Sequence, residues 1–209
     1  MGAFRDYSLT EAKDKLGHGS EHHVITFGRM NPPTSGHEQV VNKVKSIASA
    51  NKASHEVILS GSQDAKKNPL TPEQKKKHAS RAFPATKVTV SDKSHPSLLH
   101  HLSRIHKSGK KNLHIVVGSD RVKEFHDLAH KYNGVAGKHG HYNFKSIAVH
   151  SAGQRDPDAK GVSGMSGSKL RSHANAGNYS EYKKGVSSQM SDKHAKEMYD
   201  HIRKGSGLK

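Results

Sequence analysis

The chain has 209 residues and no cysteine, which excludes disulfides, thiolate metal sites and a cysteine nucleophile. Apolar side chains make up 31% of it, about 40% with the 19 glycines, below the usual 45–50%; that supports one modest α/β core with much loop and solvated helix. A net charge of +17 sits mainly on residues 22–165 (23 basic, 10 acidic), which points to an anionic partner, nucleotide or nonspecific nucleic acid, or else to a generally basic surface.

In chain order, residues 1–21 read as an N-terminal appendage. Ser8-Leu9-Thr10-Glu11 has the form of a capping box, and Gly17 is a helix stop. From His22 onward, apolar runs of strand length alternate with amphipathic segments. Strands are predicted at 23–27, 56–60, 87–90, 113–117 and 144–149, and helices at 37–50, 72–82, 96–107 and 119–132. Thr71-Pro72-Glu73, Pro96 and Ser119-Asp120 are the N-terminal signals of the last three. Strand starts about 30 residues apart match successive βαβ units, so the fold class is α/β, a Rossmann-like doubly wound parallel sheet of about five strands. Residues 151–167 read as a polar surface loop. Short helices follow at 166–176, 178–186 and 191–204, with Tyr179, Tyr182, Met190, Met198 and Tyr199 as docking residues and a frayed end from Lys204.

Ligands on such sheets bind beyond the carboxyl ends of the strands. The first such end is Phe27-Gly28-Arg29-Met30-Asn31-Pro32-Pro33-Thr34-Ser35-Gly36-His37, where two prolines break the strand and a helix opens at Gly36-His37 with Val40, Val41, Val44 and Ile47 on its apolar face. A strand, tight loop and helix N-terminus offer free N–H groups and a positive dipole end to a phosphate. Ser166-Gly167-Ser168-Lys169-Leu170-Arg171 offers hydroxyls and N–H groups at another helix start, with a planar cation one turn later; a serine-capped helix is the plain alternative. Gly118-Ser119-Asp120 follows the fourth strand, where Asp120 can accept from a ribose hydroxyl or cap the helix. Lys66, Lys67 and Asn68 follow the second strand, where a solvated charge run is the plain reading. No Walker A order is present. His126 and His130, His139 and His141, and His22 and His23 have pair spacings, but zinc needs three or four ligands, so surface histidines are expected and no metal site is assigned.

These residues carry a family resemblance. Gly28 to His37 is similar to the T/HxGH signature of the nucleotidylyltransferase superfamily, which includes nicotinamide-nucleotide and phosphopantetheine adenylyltransferases and cytidylyltransferases. Thr34 stands at the first His and His37 at the second. Met165 to Arg171 resembles the ISSTxxR motif, with Gly167 for a serine and Ser168 for the threonine. Gly118-Ser119-Asp120 looks like the GxD segment of nicotinamide-nucleotide enzymes, and Lys66 to Glu73 like the NPxT segment of archaeal-type members, a loop near the acceptor, which implies that Lys66, Lys67 and Asn68 receive the acceptor's phosphate. The tryptophan that usually follows GxD is absent, Leu128 being the nearest match.

The resemblance implies transfer of an adenylyl or cytidylyl group from an NTP to a phosphorylated acceptor, with pyrophosphate released. His37, with the N–H groups of Gly28, Arg29 and Met30, would stabilise the α-phosphate, and Thr34 would add a hydroxyl. Arg171, Ser166 and Ser168 would hold the β- and γ-phosphates, bridged by Mg²⁺. Phe27, Gly36, Gly118 and Asp120 complete the implied nucleotide site, and ATP is favoured over CTP.

The likeness spans roughly residues 22–187, leaving 188–209 as a C-terminal helix and tail. Val149 to Asp158, Gly161 to Ser166, Tyr132-Asn133-Gly134 and Tyr142-Asn143-Phe144 look like nucleotidylyltransferase-like proteins of tailed phages. That implies a rival role, a virion protein on this fold with activity lost or repurposed and virion proteins as partners. Nothing resembles a signal peptide or membrane span, so a cytoplasmic or virion location and no membrane partner are expected.

Overall fold

The computed structural model describes residues 20–153 and 165–208. The capping box at Ser8 and most of the polar loop after Ser151 lie outside the described residues. Five parallel strands form one sheet: β1 (His22–Gly28), β2 (Ser54–Leu59), β3 (Lys87–Val90), β4 (Asn112–Val117) and β5 (Ser146–Ser151), in the order β3-β2-β1-β4-β5. Connections lead outward from β1 to β2 and β3, then return to β4 on its other side, so the topological switch point lies between β1 and β4.

Helices cover both faces. On one lie α1 (Ser35–Ala50), α2 (Pro72–Ala82) and the C-terminal helices α5 (Gly167–Asn175), α6 (Tyr179–Lys184) and α7 (Asp192–Gly205). On the other lie α3 (Leu98–Lys107) and α4 (Val122–Lys131). Alternate residues of a strand serve opposite faces: Val24 packs with Val44 and Ile47 of α1, whereas Ile25 packs with Leu102 and Ile105 of α3. Because both faces are covered, β1 is buried from His23 through Thr26, which is why the apolar Val24 and Ile25 follow one another without the alternation of a half-exposed strand.

Local chemistry fixes the helix starts. Thr34 and His37 form a reciprocal capping box on α1, and Thr71 and Gln74 form another on α2, whose first residue is Pro72. Most boundaries shift by one to three residues from the sequence expectation, and three differences have an identifiable cause. The fifth strand starts at Ser146, because the Phe144 N–H is taken by Asn133 Oδ1 at 2.8 Å before the ladder begins, while the ring stays in the core. Residues 119–121 form a 3₁₀ turn ahead of α4, and no side chain caps either element, so Asp120 is not an N-cap. The chain end is not frayed as far as Leu208: α7 runs to Gly205, and the Leu208 N–H returns to the Arg203 carbonyl at 2.9 Å.

The C-terminal helices belong to the core. Tyr182, Met198 and Ile202 are fully buried beside Phe83 of the segment after α2, and Tyr199 meets the rings of Tyr179 and Tyr182 edge-on at 5.1 Å each. The Ser35 N–H donates to the Gly185 carbonyl at 2.9 Å, which ties the start of α1 to the end of α6.

Candidate functional site

A cavity of about 590 Å³ opens at the switch point, beyond the carboxyl ends of β1 and β4. Its wall is built from the end of β1 (Phe27 to Asn31), His37, the β4 end at Gly118 and Asp120, Lys67, and Ser166, Gly167, Ser168 and Arg171. Segments more than a hundred residues apart in sequence thus meet around one space, within reach of the N-termini of α1 and α5.

His37 is held by its own helix cap. The Thr34 backbone N–H donates to His37 Nδ1 at 3.1 Å, and the Thr34 hydroxyl lies 2.9 Å from the same nitrogen. A backbone N–H can only donate, so Nδ1 is the acceptor and a neutral ring carries its proton on Nε2. The hydroxyl can donate to Nδ1 because its lone pair receives the His37 N–H at 3.3 Å. Thr34 is fully buried and does not line the cavity. Its hydroxyl therefore orients His37 in place of the phosphate contact expected from the sequence.

Arg171 is also fixed. Its Nη1 donates to the Asn31 carbonyl at 2.6 Å and its Nη2 to the Ser168 hydroxyl at 3.1 Å. Burial lowers the proton affinity of this guanidinium, the Arg29 charge adds to the effect, and Asp64 opposes it. Ser166 caps α5, its hydroxyl receiving the Lys169 N–H at 3.1 Å. The two motifs touch through glycine: a Cβ on Gly36 would fall 2.8 Å from the Met165 carbonyl oxygen, so the chain before α5 crosses α1 where no side chain is possible. Gly36 is thus a packing residue outside the cavity wall.

The segment after β2 divides. Lys67 reaches the wall, whereas Lys66 and Asn68 do not. Asp64 organises this loop by accepting the N–H groups of Lys66 at 3.0 Å and Lys67 at 2.6 Å, and the Asn68 side chain at 2.5 Å. Those bonds, the Lys67 N–H first, hold the Asp64 carboxyl at about 2. Asn68 staples this loop and lies outside the cavity wall.

Sequence reading missed Asn31, Ser60 and Arg121. Asn31 is 3% exposed; its side chain brackets the backbone of Leu70, donating to the carbonyl and accepting from the N–H at 3.1 Å each. One residue therefore joins the β1 loop, the segment before α2 and, through its own carbonyl, Arg171. Arg121 lines the wall while chelated by Glu124 at 2.9 and 3.1 Å. Behind Ser60 lies Lys75, a buried ammonium that donates to the carbonyls of Ser60 and Ser62; burial, then Arg29, lowers its pKa to about 8. Met30 follows Arg29 with φ 38°, in the left-handed region that costs a non-glycine residue about 1 kcal/mol.

The wall is strongly cationic. Arg29, Lys67, Arg121 and Arg171 face one carboxylate among the described lining residues, Asp120, and aromatic surface comes from Phe27. Among the described residues no three His, Asp or Glu side chains converge as metal ligands. His126 and His130 stack on each other at 4.1 Å on α4, away from the wall.

No protein-family model matches the chain, and no curated protein matches it. Among solved structures it is similar to the Plasmodium falciparum nicotinic acid mononucleotide adenylyltransferase complexed with NaAD, at 17% identity and a TM-score of 0.52, covering 88% of this chain and 95% of that one. At that identity the likeness shows the fold alone: the chain has a Rossmann-like α/β architecture, as that enzyme does. Among the described residues no helix is long and apolar enough to cross a membrane.

Proposed function

We propose that this protein transfers a nucleotidyl group, adenylyl in preference to cytidylyl, from an NTP to a phosphorylated small-molecule acceptor and releases pyrophosphate. The observation that carries the reading is His37: its Nδ1 is occupied by the Thr34 N–H, so a neutral ring has its N–H donor on Nε2, and the residue forms part of a cationic cavity wall. The acceptor phosphate attacks the α-phosphorus and the bond from that phosphorus to the α,β-bridging oxygen breaks, so catalysis rests on alignment and on stabilising charge as it develops.

In this reading His37 and the Gly28–Met30 backbone donate to the α-phosphate oxygens. Arg171 and the N-terminus of α5, at Ser166 and Ser168, receive the β- and γ-phosphates that leave. Gly118 and Asp120 receive the ribose, and Lys67 with Arg29 neutralises the acceptor's phosphate. Mg²⁺, arriving on the triphosphate, would offset its charge. A wall with the single carboxylate Asp120 among the described residues suits an ion held mainly by phosphate and water.

The test is pyrophosphate release with Mg²⁺, ATP or CTP, and a panel of phosphorylated acceptors including nicotinamide mononucleotide and phosphopantetheine. Turnover with one NTP and one acceptor is expected, and His37→Ala should lower it by about 10²-fold or more while the melting temperature falls by only a few degrees, the cost of half the α1 capping box. Wild-type turnover in the variant would remove His37 from the mechanism. The absence of both turnover and NTP binding by calorimetry would sink the enzymatic reading and favour a virion role on this fold.

A further inference from the structure

The positive charge is not confined to the cavity. Residues 93–119 and 128–155 contain no aspartate or glutamate. The fold packs these two carboxylate-free stretches together. The Ser103 hydroxyl donates to the His141 carbonyl at 3.0 Å, the Lys145 N–H donates to the Lys111 carbonyl at 2.8 Å, and His106 meets Phe144 edge-on at 5.3 Å. Six lysines are brought to the same end of the sheet: Lys107 closes α3, Lys110 and Lys111 precede β4, Lys131 closes α4, and Lys138 and Lys145 precede β5. Five are exposed, Lys110 is half-buried, and among the described residues Lys111 alone of the six pairs with a carboxylate, that of Glu21.

Substrate binding does not account for this rim, and local structure accounts for only part of it. It lies where the strands begin, a six-residue strand away from the cavity, about 20 Å at roughly 3.3 Å per residue. Lys107 and Lys131 balance the C-terminal dipoles of their helices, Lys110 donates to the Ser20 carbonyl at 2.7 Å and Lys111 pairs with Glu21, but Lys138 and Lys145 lie in the connection before β5 with no such duty. We propose that this rim is a docking surface for the phosphate backbone of duplex nucleic acid.

The composition of the rim selects backbone over bases. Tyr142 and Phe144 are buried, and the Lys131 ammonium lies 5.5 Å from the Tyr132 ring centre, so among the described residues the rim has no open aromatic platform on which bases can stack. Lysine is a point charge on a flexible stem, suited to phosphates in any sequence. The recognition is electrostatic, independent of sequence and steeply weakened by salt.

Fluorescence anisotropy with a labelled DNA duplex, repeated across salt concentrations, tests the proposal on the full chain. Binding should weaken with salt. The variant Lys107→Gln, Lys131→Gln, Lys138→Gln, Lys145→Gln should bind at least tenfold more weakly at low salt, with the log–log salt slope reduced by about 0.9 for each phosphate that is no longer neutralised. Saturating ATP should leave duplex binding intact. A thermal melt confirms that the variant is folded, and should it fail, the Lys138→Gln, Lys145→Gln pair is read instead. An unchanged slope in a folded variant would overturn the proposal, as would displacement of the duplex by ATP, which would place it in the cavity. Binding to phosphatidylserine vesicles without duplex binding would also overturn it.

Discussion

Asn31 offers the sharpest test of how the site is assembled. Replacing it with alanine leaves its backbone carbonyl for Arg171 but removes both hydrogen bonds to Leu70, a residue with no exposed surface. The Leu70 N–H and carbonyl then have no water to turn to. An orphaned buried group costs about 1–3 kcal/mol, so the pair should cost about 2–5 kcal/mol. For a chain of this size that corresponds to a fall of roughly 5–15 °C in melting temperature. Asn31→Asp separates hydrogen bonding from lost volume. It keeps an acceptor for the N–H but turns a second oxygen on the Leu70 carbonyl, so it should destabilise at least as much as alanine. Thermal melts and urea titrations of both variants provide the assay. If both melt within about 2 °C of the parent, the bracket does not organise the loop and the reasoning fails.

Three further outcomes follow from the same geometry. Arg171→Lys cannot reach both the Asn31 carbonyl and the Ser168 hydroxyl in the planar fork now seen, so steady-state kinetics should show KM for the NTP rising about tenfold or more. Gly36→Ala places a methyl 2.8 Å from the Met165 carbonyl and should cost about 1–3 kcal/mol by urea denaturation, with weakened NTP binding by calorimetry as the second motif is pushed off the first. Acid should destabilise the fold through His78 and His101: burial, chiefly, lowers each from 6.5 to about 4. The unfolded chain then binds more protons between those values, so stability is intact above pH 6.5 and falls toward pH 4, by on the order of 3 kcal/mol per histidine. Melting temperatures across pH 4–7 check this, and the fall should shrink in His78→Gln.

Much of the architecture was legible because short- and long-range signals agree. Val24 and Ile25 are apolar at consecutive positions because both sheet faces are covered, and Thr71-Pro72 marks a helix start whatever packs on it. At the site, motif order and strand-end position bring His37, Lys67, Asp120 and Arg171 to one wall. What stayed hidden depends on partners distant in sequence. Asn31 looks like a turn residue until Leu70 lies beside it, and Lys75 looks like one of three solvated lysines until the carbonyls of Ser60 and Ser62 close over it. Thr34 shows the converse: its position was legible but its duty was not, because a hydroxyl at a helix start can face a ligand or its own helix cap.

A chain with net charge +17 must either bind anions or repel itself, and the fold separates the two sources of that repulsion. Arg29, Lys67 and Arg171 gather where the strands end, and the lysine rim gathers where they begin. About 20 Å of sheet lies between them, more than twice the roughly 8 Å screening length at physiological salt. Each cluster therefore keeps most of its charge whether or not the other is neutralised. A triphosphate entering the cavity relieves repulsion among cavity residues and scarcely changes the potential at the rim. The two ligands should bind additively: duplex affinity with and without ATP, and ATP affinity with and without duplex, should agree within a factor of about two at roughly 0.15 M salt. Coupling larger than that would require a route through the sheet itself, and β4, which runs from Asn112 at the rim to Val117 at the cavity, would be its carrier.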